Sequence, residues 1–387
     1  MKIILAPDSF KGNLTSLQVA TALEKGVKRV LPKAKCIKVP MADGGKGTVQ
    51  SLVDATGGTF IRKRVTGPTG HTVSARYGML ADGETAVIEM AAASGLPLVS
   101  GKELNPLKTT TFGTGELILD AVKRGATKII IGIGGSATND GGVGMAQALG
   151  VQFMNKRGKE ITEFGAGGML DKITSIDMKG LEPVIKKIKI VVASDVNNPL
   201  CGKEGASNVF GPQKGATPAM VKILNANLKH LSKVIKSDLK KDIINVKGAG
   251  AAGGLGAGLI AFTRAKMKSG IDIVLEATNF TQYIKDADLV ITGEGSVDSQ
   301  TAFGKTPSGV AKAARKHQVP TIAIGGGLSN DARGVFAYGI AGLESAYARE
   351  MPLDEAMNNS RLYIANAAER AIRLILVGSK IAKSKVR

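Results

Sequence analysis

The chain has 387 residues, of which 43% are hydrophobic, so it is long enough for two domains with buried cores. No stretch reaches the roughly 20 uninterrupted apolar residues of a membrane span, and the apolar run that ends at Pro7 is too short for a signal peptide. The two cysteines show neither a metal-ligand nor a disulfide spacing, so we expect a cytoplasmic protein without a membrane partner.

The charge balance is strongly basic, with 52 Lys and Arg against 32 Asp and Glu and a formal net charge of +20. This raises the alternative of a protein that binds nucleic acid or another polyanion. Proteins that bind single strands usually stack bases on aromatic side chains, whereas aromatic residues make up only 4% of this chain and Trp is absent. The lysines are also scattered, so we interpret the excess as a solvated basic surface and do not expect nucleic acid as a partner.

The N-terminal part of the chain predicts a β-α-β unit. Residues 2–6 have the pattern of a buried strand. A helix follows, opened by Thr15 and Gln18 in the spacing of a capping box. Residues 35–39 predict the second strand, and Thr48–Ala55 a further helix. Such a unit is right-handed in nearly all known folds.

Later segments continue this alternation of strands and helices. The patterns predict, in chain order, two short strands within 67–86, a strand over 129–133, a helix from Val143, a close-packed glycine-rich turn over 248–258 into a helix over 255–266, strands over 288–292 and 321–324, and helices over 307–316 and 353–377, the last stopped by Gly378.

The alternation predicts an α/β fold with parallel strands. We expect a Rossmann-like parallel-sheet domain built from both chain ends, residues 1–66 and 286–387, and a second α/β domain inserted over residues 67–285. Insertion is plausible because the termini of a domain often lie close together. A catalytic cleft is expected between the two domains.

Five loops that follow predicted strands carry side chains suited to chemistry. In open α/β sheets, ligands bind beyond the carboxyl ends of the strands. The first loop contains Asp8, Ser9 and Lys11, and the second contains Asp43 and Lys46 among glycines. Lysine is a mobile point charge suited to a phosphate or a carboxylate, although the acids and Ser9 also have the composition of turns and helix caps.

The third loop, Gly134–Gly142, runs from a hydrophobic strand into a helix. Glycines and hydroxyls at a helix N-terminus can hold a phosphate through backbone N–H groups. Its spacing matches neither the nucleotide loop that ends in Gly-Lys-Ser/Thr nor the dinucleotide fingerprint, which argues against a nicotinamide oxidoreductase. The candidate phosphate-binding residues are Gly134, Gly135, Ser136, Thr138, Asn139 and Asp140.

The remaining two loops add acids and a lysine. Glu294 and Asp298 place two carboxylates on one loop, as a Mg²⁺ site requires. Lys305 precedes a helix, where it can meet phosphate oxygens, and Asp195 follows an apolar strand. Phosphoryl transfer needs positioned phosphates, a metal held by carboxylates, cations and an acid-base group, and the five loops together supply all four.

The same loops resemble those of the type-1 glycerate kinase family, in order and spacing along nearly the whole chain. The segments that carry the resemblance are APDSFKG at 6–12, MADGG at 41–45, GGSATNDGG at 134–142, SDVNNPL at 194–200 and TGEGSVDSQTAFGKTPSGVA at 292–311. The resemblance implies ATP-dependent phosphorylation of D-glycerate with Mg²⁺, giving 2-phosphoglycerate, with 3-phosphoglycerate left open. It also implies a Rossmann-like domain interrupted by an inserted one.

One position departs from the family. Its second loop usually reads ADGGEGT, whereas Lys46 here gives ADGGKGT. A lysine at this position could hold the substrate carboxylate or a phosphate, and an acid lost from it could have been a metal ligand or a base.

A working mechanism follows from the loops and the resemblance together. ATP phosphates lie against Gly134–Gly142, and Glu294 and Asp298 hold Mg²⁺. Lys11 and Lys305 offset the charge of the transferring group. Asp43 or Asp195 accepts the proton of the glycerate hydroxyl, and the choice between them is open. The full expected sets are catalytic Asp8, Lys11, Asp43 and Asp195, and substrate-binding Ser9 and Lys46. A homodimer is left open.

Overall fold

The computed structural model describes residues 1–45, 47–302 and 305–385. The strands are β1 Lys2–Leu5, β2 Lys35–Lys38, β3 Thr59–Thr66, β4 Thr72–Met79, β5 Thr85–Glu89, β6 Lys128–Gly132, β7 Gln152–Met154, β8 Ser175–Asp177, β9 Lys189–Ala193, β10 Lys266–Lys268, β11 Leu289–Val297, β12 Thr321–Leu328 and β13 Ile340–Ser345. The helices are α1 Ser16–Val30, α2 Thr48–Thr56, α3 Ala91–Ser94, α4 Phe112–Lys123, α5 Val143–Ala148, α6 Ala206–Phe210, α7 Pro218–Leu239, α8 Leu255–Thr263, α9 Gly270–Ala277, α10 Phe280–Ile284, α11 Thr306–Arg315, α12 Leu353–Asn358 and α13 Ser360–Lys385.

The chain divides into two compact units. The first unit comprises Met1–Asp43, Gln50–Thr56 and Ile271–Arg387, and the second comprises Gly44–Val49 and Gly57–Gly270. The domain boundaries at residues 66 and 285 and the cleft between the domains remain predictions from the sequence.

The first unit is built on a five-stranded sheet in the order β13-β12-β11-β1-β2. Every pairing in it is parallel. The central strands β1 and β11 are buried along their apolar residues, as their continuous hydrophobic runs predict. Because all five strands run in the same direction, the loops that follow β1, β2 and β11 lie at one edge of the sheet.

Helix α1 begins with the predicted capping box. The Thr15 side chain accepts a hydrogen bond from the Gln18 backbone N–H, and the Gln18 side chain accepts one from the Thr15 backbone N–H. The buried face of α1 packs on α13, and the two helices approach closely at Gly26. A Cβ there would lie 2.0 Å from the Ala365 carbonyl oxygen, so the small residue is required by the helix packing.

The second unit contains a mixed six-stranded sheet in the order β10-β9-β6-β5-β4-β3. The strands from β10 to β5 pair in parallel, and β5, β4 and β3 pair antiparallel. The carboxyl ends of β5, β6 and β9 are aligned, with Glu89 opposite Gly132 and Gly132 opposite Ala193. A separate antiparallel pair is formed by β7 and β8.

The predicted α/β class with parallel sheets is confirmed, but the last predicted helix is wrong. Residues 353–377 form two helices, α12 and α13, which are separated at Asn359, and Gly378 lies inside α13. Gly378 does not stop the helix because an exposed glycine costs a helix interior only about 1 kcal/mol. In the described part of the chain, no helix combines the length and the apolar character of a membrane span.

Candidate active site

Asp8 is a buried carboxylate at the end of β1. It is 5% exposed, and its two oxygens accept hydrogen bonds from the Ser9 backbone N–H at 2.6 Å and from the Thr306 hydroxyl at 2.7 Å. Burial, reinforced by the negative charge of Asp43, raises the pKa of Asp8 to about 6, although both hydrogen bonds counteract this. The half-buried Ser9 side chain also contacts Asp8, at 3.3 Å.

Lys11 and Asp43 form an ion pair beside this carboxylate. Lys11 Nζ lies 2.8 Å from Asp43 Oδ2, and the lysine side chain is mostly exposed. Partial burial lowers the pKa of Lys11, but the hydrogen bond and charge of Asp43, together with the more distant charges of Asp8 and Glu294, raise it overall. Lys11 therefore remains a cation among acids, and it comes from the loop after β1 while Asp43 comes from the loop after β2.

Glu294 and Asp298 share one hydroxyl group. Thr301 Oγ1 donates to Glu294 Oε1 at 2.6 Å and lies 3.3 Å from Asp298 Oδ1, and Lys305 Nζ lies 3.5 Å from the same Asp298 oxygen. Burial raises the pKa of Glu294 to about 7, against the hydrogen bond from Thr301 and the charge of Lys305. The two carboxylates are thus close neighbours in a partly buried environment.

The geometry of these two acids fits a magnesium ion. Mg²⁺ is commonly bound by one or two carboxylates together with waters and substrate phosphates. Two carboxylates that meet at one hydroxyl lie within reach of a single cation. Within the described residues, however, no group of three or more His, Cys, Asp or Glu side chains could hold a metal ion by itself. Any metal here would need oxygen ligands from elsewhere.

The first unit therefore brings together most of its predicted site residues. Two buried threonines that the sequence analysis did not single out hold the acids: Thr306 binds Asp8, and Thr301 binds Glu294 and Asp298. Both stand in the quoted loop between residues 292 and 311, and their only signal was a hydroxyl close to acids. The predicted residues gathered at this edge of the sheet are Asp8, Ser9, Lys11, Asp43, Glu294, Asp298 and Lys305.

In the second unit, loop 134–142 follows β6 and has an exposed outer half and a buried inner half. Gly134 and Gly135 are exposed, and Gly135 has a φ of +74°, a left-handed conformation that favours glycine. Ser136, Thr138 and Asn139 are buried. The outer half therefore presents backbone alone, without a side chain beyond Cα.

Asp140 stabilises the inner half of the loop. Its carboxylate accepts hydrogen bonds from the Thr111 backbone and hydroxyl and from the backbone N–H groups of Gly142 and Gly144. Burial raises its pKa, and these hydrogen bonds oppose the shift. Asp140 occupies amides at the start of α5, a helix of six residues. The exposed backbone of this loop is therefore at Gly134 and Gly135 and not at the helix start.

The glycine-rich part of the loop after β2, within Gly44–Val49, belongs to the second unit. Glu89 Oε1, at the end of β5, accepts hydrogen bonds from Gly47 N at 2.8 Å and Val49 N at 3.2 Å. A Cβ on Gly44 would lie 2.7 Å from Gly270 Cα. Glu89 was not predicted as a site residue, since a single glutamate outside the predicted loops carried no signal. Lys46 lies outside the described residues.

Asp195 is exposed after β9 and accepts a hydrogen bond of 3.0 Å from the Gly270 backbone N–H. It lies in the second unit, whereas the other predicted catalytic residues, Asp8, Lys11 and Asp43, lie in the first. The predicted site residues thus form two groups, one at the sheet edge of each unit.

Acids and lysines at the carboxyl ends of parallel strands suit an α/β enzyme that transfers phosphoryl groups. Comparison with known proteins narrows this class. Residues 3–376 match the model of the glycerate kinase family. The glycerate kinase of Halalkalibacterium halodurans is 52% identical over 366 residues, covering 95% of this chain and 96% of that protein. The glycerate 2-kinase of Escherichia coli is 50% identical over 380 residues, covering 98% and 99%.

A solved structure agrees with these relatives. A crystal structure from Salmonella typhimurium LT2, named as a glycerate kinase 2, matches with a TM-score of 0.91 and 46% identity, and the match covers 98% of this chain and 99% of that one. The chain belongs to the glycerate kinase family, as the resemblance of its loops predicted.

Proposed function

We propose that the protein phosphorylates D-glycerate with ATP and releases 2-phosphoglycerate and ADP. The observation that carries the proposal is the cluster of Asp8, Asp43, Glu294 and Asp298 with Lys11 and Lys305 at the carboxyl ends of β1, β2 and β11. A reaction between two anionic substrates needs both cations and a metal-binding pair of acids. Relatives that are named glycerate kinase and glycerate 2-kinase support this choice of substrate.

In the proposed reaction, the hydroxyl oxygen of glycerate attacks the γ-phosphorus of ATP. The bond between that phosphorus and the β,γ-bridging oxygen breaks, and ADP leaves. The ammonium groups of Lys11 and Lys305 offset negative charge on the transferring group. Glu294 and Asp298 would hold Mg²⁺, which would neutralise further charge on the phosphates. The exposed backbone of Gly134 and Gly135 holds the ATP phosphates.

The hydroxyl proton passes to a carboxylate. Both oxygens of Asp8 already accept hydrogen bonds and its side chain is buried, so we assign Asp8 to ordering the site. Asp43 is less enclosed and is paired with the exposed Lys11, which makes it our choice of base, with Asp195 as the alternative. We assign Ser9 and Lys46 to the glycerate. Loss of the base should lower kcat at every pH, whereas loss of a binding group should mainly raise KM.

The test is an ADP-release assay with D-glycerate, with L-glycerate as a stereochemical control and identification of the phosphorylated carbon. Lys305→Met should reduce kcat at least about tenfold, since charge-assisted contacts contribute about 1.5–3 kcal/mol. Lys312→Met, on the exposed side of the adjacent α11, is the matched control and should leave kcat unchanged. Absence of glycerate-dependent ADP release by the wild-type protein would refute the proposal, and a product labelled on C3 would refute its regiochemistry.

A further inference from the structure

A buried lysine lies under loop 134–142, and the proposed reaction gives it no role. Lys214 is 1% exposed, and its Nζ donates a hydrogen bond of 2.6 Å to the main-chain carbonyl of Thr138. Burying an ammonium group is costly unless it is paired and hydrogen-bonded. A methionine or leucine would fill the same space without that cost, so packing does not account for a lysine here.

The buried surroundings of Lys214 disfavour its charged form. Burial lowers the pKa of Lys214 to about 7, and the negative charge of Asp140 counteracts this. Asp140 is itself fully buried and accepts hydrogen bonds at both ends of its carboxylate. The lysine is therefore held by its hydrogen bond to Thr138, and the negative charge of Asp140 in the same loop favours its charged form.

Ser207, seven residues before Lys214, holds Asn139, the residue that follows Thr138 in the loop. Asn139 Nδ2 donates a hydrogen bond of 3.1 Å to Ser207 Oγ, and both residues are fully buried. Ser207 lies on α6, and Lys214 ends the single 3₁₀ turn, Pro212–Lys214, that follows α6. We call Ser207 and Lys214 the clamp, because they hold the consecutive residues Thr138 and Asn139.

The glycine-rich segment around residue 253 closes the loop from another direction. Gly141 N donates a hydrogen bond of 3.1 Å to the Gly253 carbonyl. A Cβ on Gly253, whose φ is +66°, would lie 2.0 Å from the Thr138 carbonyl oxygen. Only glycine permits this approach, so the backbone of the inner half is fixed by the clamp and by this segment.

Two side-chain oxygens in the inner half of the loop lack hydrogen-bond partners among the described residues. Thr138 Oγ1 and Asn139 Oδ1 are buried without a hydrogen-bond partner among the described residues. An unsatisfied buried polar atom costs free energy, so the conformation of Thr138 and Asn139 is imposed by their neighbours. The exposed outer half, Gly134 and Gly135, is continuous with this fixed backbone.

We propose that Ser207 and Lys214 are positioning residues for the nucleotide: by fixing Thr138 and Asn139, they preorganise the exposed backbone of Gly134 and Gly135 for the ATP phosphates. The inference rests on the proposed function. Preorganised donors bind without paying the cost of ordering at the moment of binding. Loss of the clamp should therefore weaken ATP binding and leave the affinity for glycerate unchanged.

Two variants test the clamp. Lys214→Met keeps the length of the side chain without its charge, and KM for ATP should rise about tenfold, the effect of losing one charge-assisted hydrogen bond. Ser207→Ala removes a single oxygen and should raise KM for ATP about threefold, as loss of one neutral hydrogen bond does. KM for D-glycerate should stay within about twofold in both, because the inference gives the clamp no contact with it.

The controls separate positioning from folding. Lys222→Met, the same substitution at an exposed position of α7, should change neither constant. Lys214→Arg keeps the cation and should recover part of the ATP affinity that Lys214→Met loses. Tm is measured for every variant, since a merely structural role would lower Tm while KM of the folded fraction stayed the same.

Direct calorimetric titration of ATP is run beside the kinetics, so that the clamp is tested whether or not the wild-type protein turns over glycerate. Unchanged ATP affinity and KM in both Lys214→Met and Ser207→Ala would overturn the inference. Should Lys214→Met fail to fold, Ser207→Ala decides alone. Wild-type protein that binds ATP but never phosphorylates glycerate would refute the proposed function, and weaker ATP binding by the variants would still support the clamp.

Discussion

The ionised carboxylate of Glu294 lowers the stability of the folded protein because it is buried. Its carboxyl group has a pKa of about 7, above the ordinary 4.5, mainly because of burial. The folded protein therefore binds a proton at Glu294 more readily than the unfolded chain does. The contribution of this group to stability is greatest at low pH and is lost as the pH rises from about 4.5 to about 7. At higher pH the folded state keeps a carboxylate that water would solvate better.

We accordingly expect Glu294→Gln to stabilise the protein above pH 7. Gln keeps an oxygen for the Thr301 hydroxyl and removes the buried charge, so the free energy of unfolding should rise on the order of 2 kcal/mol. The gain should disappear below about pH 4.5, where Glu294 is protonated in both states. Glycerate-dependent turnover should be lost at the same time.

Thermal unfolding of wild type and variant across pH 4–8 measures this effect. Glu350→Gln, at an exposed position of the same unit, is the charge-matched control and should not alter Tm. A Glu294→Gln protein that is less stable at pH 8 would show that the carboxylate contributes favourable contacts and that burial is not the dominant influence on it.

Lys46 carries a separate prediction, since it departs from the family pattern. If its ammonium binds the glycerate carboxylate, Lys46→Glu replaces attraction by repulsion, and KM for D-glycerate should rise more than about tenfold. Steady-state kinetics with Lys46→Met as the uncharged comparison separates loss of attraction from added repulsion. Higher kcat in Lys46→Glu with KM unchanged would instead mean that an acid at this position serves catalysis.

The residues that the sequence could identify were those with a charge in a loop after a strand. Asp8 and Asp43 have this signature. Glu294 was predicted in such a loop but lies within β11, which extends to Val297. Strand direction brings all three to one edge of the sheet. Thr301, Thr306 and Glu89 could not be found, because their importance depends on which side chains they contact. Such contacts between residues as distant along the chain as Asp8 and Thr306 appear only in the folded protein.

At the scale of elements, two glycines in helices of the first unit should respond oppositely to the same change. A Cβ on Gly26 of α1 would lie 2.0 Å from the Ala365 carbonyl oxygen and 2.8 Å from Ala368 Cβ, whereas a Cβ on Gly378 of α13 would meet no atom within 4 Å. Gly26→Ala should lower the free energy of unfolding by about 1–3 kcal/mol through overpacking. Gly378→Ala should raise it by about 0.5–1 kcal/mol through helix propensity.

Denaturant unfolding of the two variants measures both signs in one experiment. The wild-type chain is the common reference, and the two substitutions add the same methyl group, so differences in side-chain hydrophobicity cancel. If Gly26→Ala were as stable as wild type, the contact between α1 and α13 would have to be looser than the structure places it.

Most of the elements predicted from the sequence formed, whereas others, among them α4, α7 and β13, were not predicted. Caps and buried runs, such as Thr15 with Gln18 and the strand at β6, depend on neighbours in sequence and were read correctly. The break at Asn359 between α12 and α13 could not be read, because apolar residues on both sides continue the same helical spacing. Helix α5 is short because Asp140 and the packing of Gly142 on Gly258 fix its start, and these contacts are not local.

At the scale of the whole molecule, apolar runs in the sequence predicted buried strands, but they did not predict which sheet each strand joins. Continuous apolar runs predict strands buried on both faces, and both sheets contain such strands. Of the two antiparallel strands at the edge of the second sheet, β4 lies within the predicted range 67–86, whereas β3, Thr59–Thr66, was not predicted. Which sheet they join is decided by pairing with β5, and local sequence does not encode that choice.

The net charge of +20 gives the last prediction. A positive field attracts anionic substrates and is screened by salt, with a Debye length of about 10 Å at 0.1 M and about 3 Å at 1 M ionic strength. We expect KM for both ATP and D-glycerate to rise severalfold as KCl is increased over this range, with kcat nearly unchanged, because screening weakens attraction without altering the groups that react. An uncharged osmolyte at matched osmolality is the control.

A polyanion such as duplex DNA should leave turnover unchanged at 0.15 M salt, since scattered lysines provide no continuous track for phosphates. Inhibition by stoichiometric DNA at that salt concentration, relieved steeply by further KCl, would show that the basic surface is a nucleic-acid site after all.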